Sequence, residues 1–376
     1  MLRCVSIVGT SIGFYLPLSV VPRFAQESGS TAVAGLPTVA LLLATVAGEL
    51  VTPRLIDRIG YRWSMAAGLA LLGGPTLVLT VSDHIWAIVA VSLVRGVGFA
   101  VSVVAGGAVT ALLIPARRRG EGLALVGIVS GASGMLALPG GVWAAQRWGC
   151  EPVFAMTAVV ALLALLSVPG LPRRDATTGP GGRIGVLTGL LSAELMRPAS
   201  IFAMASAATG VLVTFLPLAT AGLPVWVVAV ALLTHRATAT AARWVAGRLG
   251  DRSGQGRLLA PGLLLAGAGV AAMSATGAPA AVIGGSFVFG AGFGVLQNAT
   301  LSLMYSRAPV GGEGSVSAIW NAAYDLGMAA GALGAGLSIT PLGHPATFLL
   351  TAAAILPALL LVRRDRRASP GGPERR

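Results

Sequence analysis

The chain has 376 residues, 55% of them hydrophobic and only 10% charged, with a mean hydropathy of +0.83. A soluble domain carries about 25% charged residues, so the composition excludes an ordinary water-soluble globule and points to an all-α integral membrane protein. The net charge of +13 comes from arginine alone, all 26 basic residues being Arg. These build no basic face with groove-reading elements, which excludes nucleic acid as a partner.

A membrane-crossing helix needs about 20 mostly apolar residues. Breaks at charged and Pro/Gly-rich stretches divide the chain into twelve such spans. The first six are predicted at 3–23, 32–52, 64–81, 86–112, 121–146 and 152–171. The other six are predicted at 198–218, 225–246, 258–275, 280–305, 313–338 and 346–363. The first span follows Arg3 without a small-residue cleavage site, so it is expected to be retained. Domain limits follow: a six-helix bundle over 1–171, a cytoplasmic linker over 172–197, a second bundle over 198–363 and a basic tail over 364–376.

Arginine placement orients the chain through the positive-inside rule. With both termini in the cytoplasm, every arginine falls on the inner side except Arg23 and Arg147, outside, and Arg95 and Arg236, within spans. The expected location is therefore the cell membrane, with multiple crossings. Cys4 and Cys150 are expected on opposite faces, so no disulfide follows from them. His84, His235 and His344 are scattered and suggest no metal site.

The sequence repeats itself. Leu55, Asp57, Arg58 and Gly60 stand 194 residues before Leu249, Asp251, Arg252 and Gly254. Leu16-Pro17-Leu18 recurs as Leu216-Pro217-Leu218, Gly96-Val97-Gly98-Phe99 as Gly290-Ala291-Gly292-Phe293, and Gly120-Glu121-Gly122 as Gly312-Glu313-Gly314. Four matches in the same order describe two pseudo-symmetric six-helix halves. Parallel repeats of this kind place a binding site between the halves, near the bilayer midplane.

These residues resemble the major facilitator superfamily over essentially the whole chain. The family's pattern after its second helix, Gly-x-x-x-Asp-Arg-x-Gly-Arg-Arg, is matched by Asp57, Arg58, Gly60 and Arg62, with Pro53 in place of the first Gly. The second copy keeps Gly247, Asp251, Arg252 and Gly254. Arg95-Gly96-Val97-Gly98 is similar to the family's fourth-helix signature, and Gly131 through Pro139-Gly140-Gly141 to a degraded form of its antiporter motif. The resemblance implies the twelve-helix fold, alternating access, and loops that lock the halves on the cytoplasmic side. It also implies drug:proton antiport, with the departures in the fifth span weakening the inference of export. The alternative for these loops is a topogenic one, in which their charges only hold them inside.

Charges inside spans are the sharper signal. At about 1.5 Å per residue, Arg95, Arg236 and Asp325 lie about 14, 17 and 18 Å into their spans. A charge there costs about 2.5–3.5 kcal/mol on insertion scales, so these residues are expected to line a wet cavity or to pair, with Arg236 as a buried charge partner. Asp325 is a candidate proton-coupling carboxylate, sharing a helix face with Trp320, Asn321 and Tyr324. The other reading is a structural ion pair with Arg236 or Arg95. Glu49 is a second coupling candidate, or a partner for loop arginines. Arg95 reads equally as a substrate or acid contact and as a helix-packing residue. His235 reads as a packed histidine before a titrating one.

The family places its cavity on helices 1, 4, 7 and 10, where the polar and aromatic candidates are Tyr15, Arg95, Thr214, Phe215, Gln297 and Asn298. Interhelical hydrogen bonding is the other reading for these. The chain has no Gly-x-x-x-x-Gly-Lys-Ser/Thr loop for ATP. The expected function is proton-coupled efflux of a small, fairly apolar drug-like or secondary-metabolite compound. The protein is expected to be monomeric, without a cofactor, and to serve antibiotic resistance. An importer or uniporter of a small neutral metabolite is the alternative, and a membrane-embedded enzyme a remote one.

Overall fold

The computed structural model describes residues 2–18, 20, 21, 24, 25, 36–171, 186–220, 222–309 and 312–368. Arg23, Arg173, Arg174, Arg183 and the arginines beyond 368, all used to orient the chain, lie outside these residues. The described residues form helices and turns, with no strand among them. In chain order the helices are α1 (Leu2–Leu18), α2 (Leu36–Gly73), α3 (Ile85–Leu113), α4 (Arg119–Trp148), α5 (Cys150–Leu163) and α6 (Val186–Leu191). They continue as α7 (Ala193–Ala219), α8 (Val225–Ser253), α9 (Leu259–Ala272), α10 (Pro279–Arg307), α11 (Glu313–Ile355) and α12 (Ala358–Ala368).

Among the described residues, seven segments are long and apolar enough to cross a membrane: Pro37–Thr80, Ile85–Leu113, Gly120–Ala137, Cys150–Gly170, Ala193–Leu216, Pro279–Arg307 and Pro341–Asp365. Arg3–Leu18 is a shorter apolar helix. The tryptophans support a bilayer setting. Trp63, Trp86, Trp143, Trp148, Trp226 and Trp244 are exposed, each within three turns of a helix end or break, the placement favoured at a membrane–water interface.

Two helices expected to be separated by loops run on almost without one. The 53–63 stretch is helical on both sides of Gly60, where α2 breaks at φ 79°, ψ 169°. The corresponding second stretch is the end of α8, closed by Gly254 at φ 91°. The repeated loop motif is thus carried on helix ends closed by a glycine. A positive φ costs glycine nothing sterically, so the chain reverses there with no spare residues. Gly149 (φ 91°) and Gly343 (φ 77°) do the same at the α4–α5 junction and inside α11. The pairs Gly60/Gly254 and Gly149/Gly343 each lie 194 residues apart, the spacing of the sequence repeat.

The chain resolves into two compact units. The first comprises Met1–Leu113, Ile128–Val186 and Pro309–Ala318, and the second Ile114–Gly127, Leu187–Ala308 and Ile319–Arg376. The start of α4 therefore belongs with the second unit, and the start of α11 with the first. Of the expected linker, 172–185 lies outside the described residues, while α6 and the start of α7 occupy the rest. The expected tail begins inside α12, which runs to Ala368.

Each unit is built on the same close helix contact. In the first, α3 lies against α2: a Cβ on Gly96 would strike the Leu41 carbonyl, and one on Gly98 would lie 2.5 Å from the Leu72 amide nitrogen. In the second, Gly290 and Gly292 of α10 meet His235 and Ala266 in the same way. These four contacts pair off at the 194-residue spacing. Small residues let membrane helices approach backbone to backbone, and here the repeat is visible in which backbone atoms they approach.

Candidate functional site

The best-defined polar constellation lies in the second unit, where the end of α8 meets the start of α4. The first turn of a helix leaves backbone N–H groups without intrahelical acceptors. The Asp251 carboxylate accepts two of them, from Gly120 and Glu121, both at 2.9 Å. The Gln255 amide donates to the same carboxylate at 3.2 Å. The helices touch because both sides are glycine: a Cβ on Gly120 would lie 2.8 Å from the Gly247 carbonyl oxygen. Around this contact, Arg118 donates to Glu121 at 3.1 Å and Arg248 lies 3.6 Å from it. The Arg248 guanidinium also sits 4.0 Å over the Trp244 ring. Arg252 is exposed.

The first unit does not mirror this. The start of α11 rests on α2, with the Gly314 Cβ position 3.4 Å from Ile56 and 3.9 Å from Pro53. Asp57 and Arg58 are exposed and Arg62 is half-buried. None of the three has a hydrogen bond or ion pair among the described residues.

Also in the second unit, an aromatic row crosses four helices. Trp320 of α11 stacks on Phe202 of α7 at 4.4 Å, and Phe202 stacks on Tyr324 and on Phe293 of α10, each at 5.8 Å. Phe293 continues to Phe289 at 5.9 Å, and Phe289 stacks on His235 of α8 at 5.0 Å. The Trp320 indole N–H donates to the Thr300 hydroxyl at 3.0 Å. Asp325 follows Tyr324 directly and is half-buried, with no ion pair or hydrogen bond among the described residues. It sits on a stretch of α11 that lies against α7: Gly327 and Gly331 rest on the Ala203 and Ala207 carbonyls. Asn321 and Tyr324 are half-buried on the same helix.

In the first unit Arg95 is 1% exposed. Its Nη2 donates to the Gly13 carbonyl of α1 at 3.1 Å, and its Nε is buried without a partner among the described residues. Tyr15 packs on Gly134 of α4 and edge-on against Phe14, which stacks on Phe99 at 3.7 Å. Glu49 is buried in α2.

The other expected contacts fall in varied surroundings. Thr214 is exposed, and Phe215 and Gln297 are half-buried. Asn298 is fully buried and donates its amide to the Gly120 carbonyl at 3.0 Å, a helix-to-helix bond. One expectation is corrected. Arg236 is exposed and is no buried charge partner. The buried row of α8 runs through Val227, Ala231, His235 and Ala239 at four-residue spacing. Arg236 sits one step, about 100°, off that row, so the buried member of the pair is His235. Sequence reasoning also missed the aromatic row, whose one local sign is the i,i+4 spacing of Phe289/Phe293 and of Trp320/Tyr324. It missed too the ion pair of Arg307 with Asp365, two bonds at 2.7 Å.

The sequence model described as Major Facilitator Superfamily matches residues 4–332 and 226–376. The chain belongs to the major facilitator superfamily. Within this superfamily of transporters, a chloramphenicol resistance protein of Streptomyces lividans is 30% identical over 383 residues, 95% of this chain and 94% of that protein. Two solved superfamily structures share the fold. The human organic anion transporter MFSD10 (TETRAN) has a TM-score of 0.81 at 17% identity, over 96% of this chain and 98% of its own. A variant of the fucose:proton symporter FucP of E. coli has a TM-score of 0.80 at 14% identity, over 97% of each chain. The chain is accordingly a multi-pass membrane transporter acting on small molecules.

Proposed function

We propose that this transporter exports a small, largely apolar compound in exchange for protons, by alternating access. The observation that carries the reading is Asp325, a carboxylate in the apolar part of α11 beside an aromatic row, with no counter-ion among the described residues. An ionised carboxylate in hydrocarbon is costly, so it is stable when protonated or wetted. Its charge state then follows which side of the membrane it meets. The surroundings of Asp325 are aromatic and uncharged, with half-buried Asn321 and Tyr324 beside it, which suits a weakly polar substrate better than a charged one. The chloramphenicol resistance relative favours efflux and makes chloramphenicol the first compound to try.

Around this core we read twelve crossings, with Gly60 and Gly343 each dividing one helical run into two. Both termini face the cytoplasm of the cell membrane, the chain works as a monomer, and the two bundles are 1–171 and 198–363. The Asp251 cap on α4 acts as a cytoplasmic lock, with Gly247, Gly254 and Arg252 shaping it. Asp57, Arg58, Gly60 and Arg62 form the partner junction. Arg95 and Tyr15 serve the substrate path from the first unit.

The test is a compound-susceptibility panel, led by chloramphenicol, in a pump-depleted bacterial host. Empty vector, wild type and Asp325→Asn are compared at matched membrane expression. Wild type is expected to raise tolerance and lower accumulation, and the variant to lose most of both. Equal protection by Asp325→Asn would remove that residue from coupling and make Glu49 the next candidate. No protection by wild type across the panel would remove efflux of such compounds, leaving uptake of a neutral metabolite.

A further inference from the structure

Arg243 of α8 is an inward-facing cation with no role in the site described so far. It extends the buried row Val227, Ala231, His235 and Ala239 by one more four-residue step. Ten residues separate it from Ser253, the end of α8, about 15 Å at helical rise. Its guanidinium lies against Gly127 of α4, where a Cβ would strike Cζ, Nε and Nη1. It is also within electrostatic reach of Tyr324 of α11. A side chain of α8 that meets α4 and α11 together faces the inside of the second unit, not lipid.

Arg243 lacks the acceptors of a structural arginine. It has no hydrogen bond or ion pair among the described residues, and its Nε is buried without a partner there. Arg307 is the contrast, its guanidinium held by Asp365 through two 2.7 Å bonds. A buried donor left unpaired is costly, and an unpaired charge at membrane depth marks a substrate or ion pathway. The side chain is half-buried while Nε is sealed, so the outer end of the guanidinium is the part open to a ligand. Beside it is Tyr324, whose ring centroid lies 5.8 Å from Phe202 and 6.3 Å from Phe293. A fork of N–H donors therefore stands in aromatic surroundings. Such a fork pairs in its own plane with two oxygens of one planar group, and aromatic neighbours suit the ring that carries that group.

We propose that Arg243 is the polar anchor of the substrate site: its guanidinium binds a planar two-oxygen group, nitro or carboxylate, on an aromatic compound lying beside Tyr324. The inference rests on the reading of a substrate site at the aromatic row of the second unit, and not on the direction of transport or on protons. Recognition then falls to Arg243 of α8 and coupling to Asp325 of α11.

The test uses purified full-length protein in detergent and three ring compounds of similar size: 4-nitrobenzyl alcohol, 4-(hydroxymethyl)benzoate and 4-methylbenzyl alcohol. Dissociation constants come from the rise in Tm with compound concentration. In wild type the nitro compound, the carboxylate or both are expected to bind about ten-fold tighter than the methyl compound, as for one hydrogen bond to a charged group. Arg243→Gln is expected to bring all three to the affinity of the methyl compound, whose own binding stays the same. Arg243→Lys keeps the charge without the fork and is expected to restore only part of the preference. Gly127→Ala displaces the guanidinium with every donor intact and is expected to weaken the preference, which keeps the test decisive if Arg243→Gln does not fold. Equal binding of the three compounds by wild type overturns the proposal, as does a preference that persists in whichever of these two variants folds. Binding of none overturns it too, and continued protection of cells against chloramphenicol would then leave export standing without it. Tight binding of the carboxylate alone supports the anchor and moves the substrate class from neutral to anionic. An Arg243-dependent preference in a protein that protects no cells keeps the anchor and removes export.

Discussion

Asp251 and Asp57 occupy equivalent places in the repeat and do different things. Asp251 supplies acceptors to two first-turn amides of α4, whereas Asp57 is exposed. Asp251→Ala should therefore cost about 0.5–2 kcal/mol, the range for a lost helix cap, read as a lower Tm in detergent. Asp57→Ala should barely move it, and an equal fall for both would show that the two junctions are alike. Asp251 was legible from sequence because the carboxylate and the Gly120-Glu121-Gly122 turn both lie in recurring motifs. The exposure of Arg236 was not, because choosing the buried member of the pair needs the rotational phase of α8, which uniform apolar surroundings do not reveal. His235 is packed against Phe289, as its residue type suggested. Its Nδ1 is buried without a partner among the described residues, and such an atom costs about 1–3 kcal/mol. His235→Phe keeps the stack on Phe289 and removes the orphan, so thermal stability should rise; a lower Tm would contradict the burial argument.

At the scale of helices, the recurrent device is a glycine pressed on a backbone. Gly331 of α11 rests on the Ala207 carbonyl, while Gly334, one turn on, has open space around its Cβ position. Gly331→Leu should force α11 away from α7 and destabilise by at least the roughly 1–3 kcal/mol usual for overpacking. Gly334→Leu, with the same propensity gain and no collision, is the control; if both variants unfold alike, the close approach is not what matters. The helices themselves were legible as apolar runs. Their junctions at Gly60 and Gly343 were not, because loop length is set by one dihedral angle rather than by composition. The aromatic row was hidden for another reason: Phe202, His235, Phe289 and Trp320 come from four helices and share no local pattern.

For the whole molecule, the notable contact is at the far end of the chain. Arg307, closing α10, holds Asp365 of α12 with two 2.7 Å bonds and also donates to the Glu194 carbonyl of α7 at 3.0 Å. The pair is largely buried, its side chains 15% and 5% exposed. Removing one partner of a buried pair typically costs about 3–5 kcal/mol. Arg307→Gln and Asp365→Asn should each destabilise by about that much, and the double variant by clearly less than the sum. Additive losses in denaturation would mean the two residues act apart. A sequence reader sees Asp365 within an arginine-rich end and takes the stretch for a tail. Only the fold reveals that its partner stands 58 residues upstream.

The glycine reversals also decide where this protein can be labelled. At Gly60 and Gly343 helix runs into helix, and at Gly149 a single residue separates α4 from α5. A peptide reporter inserted at any of these points must unwind a helix on each side. Residues 82–84 and 274–278 lie between helices and can lengthen without disturbing either neighbour. Sidedness is therefore best mapped from those two stretches, with the three glycines left untouched.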